Sequence, residues 1–186
     1  MIERESTRDL LARSLLDLAK TRPIGKVTVA EIAGNCGIAK RTFYNHFEGK
    51  DDLVTYLVRA MVSEPFGRWE AGLISYAEMQ QAIFRDTVRF CPTSETMIGS
   101  DYGLGSAFEA VASATTGVYE DYLKKVLDVE RLDEGIVFEL RFSCRACMLA
   151  LYDWYHSESR ESIEEFADRC VRCLPEGLKP YFLDNR

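Results

Sequence analysis

Histidine is nearly missing: the 186-residue chain has two, His46 and His156. There is also no helix-borne metal pair, nucleophile elbow or glycine-rich phosphate loop, so the chain is read as not an enzyme and as needing no cofactor. Long apolar runs are missing too. No stretch approaches the roughly 20 apolar residues that crossing a bilayer requires, and residues 1–11 lack the basic-then-apolar layout of a signal peptide. The expected compartment is therefore the cytoplasm, where the six cysteines are expected to stay as reduced thiols. No segment alternates as a strand does, and there is no repeat or low-complexity tract. What is left is an all-α chain.

Charge is unevenly spread. Residues 1–60 hold ten Lys/Arg and eight Asp/Glu, whereas the remaining 126 residues hold thirteen and twenty-two, so the formal charge of −7 belongs to the C-terminal part. An acidic chain ordinarily argues against nucleic acid, but phosphate attraction depends on the local field at the contact face. Non-specific DNA binding is accordingly expected to be weak and salt-sensitive.

The N-terminal third reads as short helices. Ser6 and Asp9 start a first helix with a Leu11, Leu15, Leu18 seam, and Arg22-Pro23 ends it. Thr28 stands three residues before Glu31, a capping box that opens a second helix, with Val29, Ile32 and Ala33 on one face. Gly37 stops it, because a helix C-terminus often closes through a positive φ. Ile38 plugs the corner. From Ala39 to Phe47, Phe43 and Phe47 lie four residues apart on an inward stripe, which leaves Lys40, Arg41, Thr42, Tyr44, Asn45 and His46 largely outward. These residue types bind phosphates and base edges. A longer helix begins at Lys50, with Asp51 and Asp52 suiting its dipole; a phosphate near Lys50 would gain from both the ammonium and the helix start. Pro65 and Gly67 are expected to kink or end that helix.

The run Thr28, Ile32, Ala33, Gly37, Ile38, Thr42, Tyr44, His46, Phe47, Lys50, Leu53 resembles the N-terminal domain of TetR/AcrR-type transcriptional regulators. The chain departs from the usual pattern at Ala39, where the family typically has a Ser cap; losing a Ser cap forfeits about 1 kcal/mol. The resemblance implies a helix-turn-helix domain over residues 1–50 and a helical effector-binding and dimerisation domain over 51–186. It further implies DNA contact by Thr28, through its backbone N–H, and by Lys40, Arg41, Thr42, Tyr44, Asn45, His46 and Lys50. The expected function is a ligand-responsive repressor that binds a near-palindromic double-stranded operator as a homodimer and is released by a small molecule. The alternative is a regulator of the same fold that binds protein or responds to thiol oxidation, with no small-molecule effector.

Further helices are expected at about 76–91, 106–128, 133–157 and 162–174, the last with a Ser162–Glu165 capping box, and 92–105 is expected to be a loop. Trp69, Tyr102, Phe108, Tyr119, Tyr122 and Trp154 are aromatic enough to line an effector pocket, although such residues more often form plain core. Cys144/Cys147 and Cys170/Cys173 form two C-x-x-C pairs near zinc-site spacing. Both pairs nonetheless fall in apolar seams at helical spacing, which favours small hydrophobic packing over metal, while Arg145, Arg169 and Arg172 keep a reactive thiol open. The same seams, through Leu140, Cys144, Cys147, Leu151, Tyr155, Phe166 and Cys170, are expected to form a four-helix dimer interface. On that reading Leu151→Glu yields monomers.

Overall fold

The computed structural model describes residues 6–90, 106–158 and 160–183. All the regular structure among them is helical, and the chain divides into two compact units, with the division inside a helix between Leu57 and Val58. That division lies about two turns along the helix from residue 50. The expected loop at 92–105 and Tyr102 lie outside the described residues, as does the side chain of Phe108.

The first unit holds α1 (Thr7–Ala19), a 3-10 turn (Ile24–Lys26), α2 (Val29–Asn35), α3 (Lys40–Tyr44) and the first turns of α4 (Lys50–Glu70). Ser6 caps α1, its Oγ accepting from the Asp9 N–H at 3.1 Å. The α2 capping box forms in full: the Glu31 N–H donates to Thr28 Oγ1 at 3.3 Å and the Thr28 N–H to Glu31 Oε2 at 2.8 Å. Gly37 takes φ +70°, and the Ile38 N–H returns to the Ala33 carbonyl at 2.8 Å, closing the corner before α3. Leu11, Leu15, Ile32, Ala33, Phe43, Phe47 and Leu53 are all at most 2% exposed, which gives this small unit a dry centre. One polar contact crosses that centre: buried Ser14 Oγ donates to the Ile32 carbonyl at 2.7 Å and accepts from Asn35 Nδ2 at 3.1 Å.

The second unit holds the rest of α4, then α5 (Tyr76–Phe90), α6 (Ser106–Leu127), α7 (Glu134–His156), α8 (Ile163–Arg172) and a final turn, α9 (Lys179–Phe182), with small shares of α5 and α6 belonging to the first unit. Helix α4 runs through Pro65 and Gly67 to Glu70, and the chain turns at Gly72, whose φ is +71°. Pro65 is buried, so packing holds it inside the helix despite the missing N–H.

The core of this unit is aromatic. Phe66 and Trp69 of α4, Tyr76 of α5, Tyr119 and Tyr122 of α6 and Phe182 of α9 contact one another at ring-centroid distances of 4.9–5.8 Å. Trp69, Tyr119 and Tyr122 are thus packed core. Trp154 stands apart, its Nε1–H donating to the Glu161 carbonyl at 3.0 Å. Helix α8 docks on α5 through Phe84–Phe166 (5.1 Å between centroids), Arg85–Glu164 (2.8 Å) and Gln81–Asp168 (3.0 Å).

Candidate nucleic-acid interface

Helix α3 is only five residues long, and its orientation comes from two rings. Phe43 is fully buried and Phe47 is 2% exposed; they meet at 5.7 Å and leave the rest of the segment outward. Lys40, Arg41, Asn45 and His46 are exposed, and Tyr44 is 51% exposed, with its ring edge-on to Phe43. Thr42 is half-buried beside them. The Lys40 ammonium lies 6.0 Å from the Tyr44 ring centroid, at the outer limit of a cation–π contact. Ala39 caps α3 with no side-chain bond; the Phe43 anchor and the Ile38–Ala33 bond hold that helix start instead.

Two expected DNA contacts are placed differently. Lys50 turns inward: its Nζ donates to the carbonyl oxygens of Ile24 (3.0 Å), Gly25 (2.8 Å) and Val27 (3.0 Å), so all three ammonium hydrogens are used within the unit. Burial holds this amine below the ordinary lysine value, against the pull of nearby Asp51. The Thr28 N–H, expected to face phosphate, is taken by the Glu31 carboxylate. Both residues therefore shape the start of α2 rather than present free donors. Glu31 also accepts from Arg22 at 2.8 Å, and the Thr28 hydroxyl and amide, ahead of that guanidinium, pull its pKa down to about 2.

Sequence reasoning missed a clamp behind α3. The Arg8 guanidinium sits between the rings of Phe47 (4.8 Å) and Tyr56 (4.6 Å), and the Tyr56 hydroxyl donates to Asp9 Oδ1 at 2.6 Å. The first turn of α1 is thereby tied to α4 and to the ring that anchors α3.

Residues 14–57, the span of this three-helix arrangement, match the family model described as bacterial regulatory proteins, tetR family. The N-terminal part of the chain is thus a TetR-type DNA-binding domain. Over 154 residues, 74% of each chain, the protein is 25% identical to the nucleoid occlusion factor SlmA of Shewanella amazonensis. It is 27% identical over 121 residues to the HTH-type transcriptional repressor KstR2 of Rhodococcus jostii, a match covering 63% of this chain and 52% of that protein. A TetR transcriptional regulator from Streptococcus agalactiae shares its fold, with a TM-score of 0.57 over 91% of this chain and 94% of that one at 16% identity.

The expected dimer seam is placed inside the second unit. Leu140, Leu151, Tyr155 and Phe166 are at most 8% exposed, and Cys144 packs against the aromatic core. Cys147 and Cys170 are half-buried in a groove between α7 and α8. In the single chain these residues therefore expose little surface. Helix α7 is apolar on two sides, and its outward stripe is Phe138 (68% exposed), Phe142 (60%) and Leu149 (41%), with the two phenyl rings stacked at 6.3 Å. Among the described residues, no three of His, Cys, Asp and Glu converge as a metal site would need, and no helix is long and apolar enough to cross a membrane.

Proposed function

We propose that this TetR-family regulator is a repressor that binds a near-palindromic operator as a homodimer and leaves it when a small molecule binds the second unit. One observation carries the reading: an exposed row of Lys40, Arg41, Tyr44, Asn45 and His46 on a helix pinned from behind by Phe43 and Phe47. Lys40, Arg41 and Asn45 occupy the first turns and take the base-edge contacts; Tyr44 and His46, with the Thr42 hydroxyl, meet phosphate. Thr28 and Lys50 act one step back, fixing the α2 start and the turn before it. Two such helices must reach successive major grooves, roughly 34 Å or a multiple of it apart, which requires a two-fold dimer.

The dimer contact is the outward stripe of α7. Stacked Phe138 and Phe142 leave apolar surface in water on a helix otherwise packed in its own unit, and burying each ring contributes roughly 1.5–3 kcal/mol.

Inside the aromatic core of the second unit, Gln80 Nε2 donates to the hydroxyl oxygens of Tyr76 (2.8 Å) and Tyr119 (2.6 Å). Burial pushes both phenols well above the ordinary tyrosine value, so they remain neutral hydrogen-bonding groups. Phe66 and Trp69 of α4 belong to this cluster while the first turns of α4 belong to the DNA-binding unit, so a ligand that shifts the cluster pulls on a helix shared by both. Its effect is limited to its differential affinity for the two shapes.

The test is a footprint on the DNA upstream of the protein's own coding sequence. A protected near-palindrome that is lost on Arg41→Ala supports the reading; no sequence-specific protection on that DNA or in a selection from random duplexes overturns it.

A further inference from the structure

The groove between α7 and α8, about 730 Å³, is lined by three thiols, Cys147, Cys170 and Cys173, together with Trp154, Arg160 and Arg169. Cys147 on α7 and Cys170 on α8 are hydrogen-bonded to each other across it. Cys173 is exposed at the α8 C-terminus. The other described thiols are committed elsewhere: Cys36 Sγ donates to the Ile32 carbonyl at 3.3 Å, and Cys144 is bonded to Thr116.

We infer that Cys147 and Cys170 form a two-electron oxidation site that a small hydroperoxide converts to a disulfide joining α7 to α8. Three features converge. The two thiols line one groove from facing helices and are hydrogen-bonded to each other, which brings the sulfurs within reach of a bond. The groove is open to solvent, so a molecule the size of hydrogen peroxide reaches them. The two thiols also differ as an attacking and a resolving thiol should: the hydrogen bond from Cys147, with help from Arg169, holds Cys170 below the ordinary thiol value against burial, Cys173 and Glu161, while the same bond and burial hold Cys147 well above it. Cys144, pushed up to about 12 by burial, stays inert.

The chemistry balances in two steps. The Cys170 thiolate attacks one peroxide oxygen, the O–O bond breaks, and the leaving hydroxide takes a proton to become water, which leaves a sulfenic acid. The Cys147 sulfur then attacks the Cys170 sulfur; the S–S bond forms, the S–O bond breaks, and hydroxide leaves with the Cys147 proton as a second water. Two thiols lose two electrons and two protons, and the peroxide is reduced to water. The inference is independent of the DNA contact, and it would make the second unit respond to oxidant with no effector bound.

The sequence supplies a clean assay, because trypsin cuts after Arg141, Arg145, Arg160, Arg169 and Arg172 and so places Cys144, Cys147, Cys170 and Cys173 on four different peptides. Reduced full-length protein is treated with a small excess of hydrogen peroxide, blocked with iodoacetamide and digested without reductant. The expected product is the peptide 146–160 linked to 170–172, lighter than their sum by two hydrogens, with Cys36 and Cys144 alkylated. In Cys147→Ser, Cys170 should carry a sulfenic acid that dimedone traps; in Cys170→Ser, Cys147 should remain alkylated as a free thiol. A Cys170–Cys173 link, a link to Cys91, a bridge between two copies, or full alkylation of every cysteine after peroxide overturns the inference.

Discussion

Lys50 Nζ lies 2.8 Å from the carbonyl oxygen of Gly25, and the oxygens of Ile24 and Val27 complete its shell at 3.0 Å. The turn before α2 exposes a cluster of carbonyls, and the ammonium gathers them onto the start of α4. Lys50→Met should therefore lower stability by on the order of 1–3 kcal/mol, the worth of a charge-assisted bond whose acceptors lose their donor. Operator binding at low temperature, where the variant is still folded, should keep the wild-type salt slope. Unchanged melting together with a shallower slope would return Lys50 to the phosphate backbone.

Arg41 should behave in the opposite way. It is exposed on α3 and enters no ion pair among the described residues, so Arg41→Ala should leave the melting temperature in place. If it meets phosphate, the slope of log K against log salt becomes shallower by about 0.9. If it reads a base edge, discrimination at one operator position falls by about 1–3 kcal/mol, with a smaller change in slope. Gel shifts at several salt concentrations on the operator and a point variant separate these outcomes; no change in either would remove Arg41 from the interface.

The first unit was legible in the sequence because its elements are set by local chemistry: the Ser6 and Thr28 caps, positive-φ Gly37 and the Phe43/Phe47 spacing act within a few residues of themselves. Lys50 and Ser14 were not legible, because their partners lie 23 to 26 and 18 residues away in sequence and no spacing rule reports them. At Pro65 the neighbours in the core, not the residue's own preference, decide that α4 continues to Glu70. On α7 two apolar stripes share one periodicity, and the single chain buries one of them. Leu140 and Phe138 are about 200° apart around a helix of 3.6 residues per turn, so both stripes repeat properly and only the finished core shows which one it takes.

That distinction makes Leu151 and Phe142 a matched pair. Leu151 is 2% exposed and Phe142 is 60% exposed on the same helix. Leu151→Glu should unfold or loosen the second unit, costing about 4 kcal/mol or more from the lost packing and the buried carboxylate. Phe142→Glu should leave the melting of the isolated subunit nearly intact and shift the mass in solution from dimer to monomer. Light scattering alongside thermal melts decides between them: monomers from Phe142→Glu place the dimer on the outward stripe, and a dimer of unchanged mass from the double variant Phe138→Glu/Phe142→Glu rules that stripe out.

Acid should find the start of α2 through Glu31. Its folded pKa of about 2 lies below the ordinary carboxylate value because the Thr28 hydroxyl and amide, then Arg22, all favour the charged form. A carboxylate with a depressed folded pKa contributes stability that is present in full above its unfolded pKa and is lost as pH falls toward the folded one. The contribution should therefore be complete at neutral pH, begin to fade near pH 4.5 and be gone near pH 2. Glu78, Glu164 and Glu165 are shifted the same way by their own caps and partners, so the whole protein should lose stability over this window. Glu31→Gln removes one share: its melting temperature should lie below wild type at pH 7, and the gap should close as pH falls through the window. Parallel melting curves for the two proteins from pH 7 to pH 3 would mean that the capping box carries no linked proton.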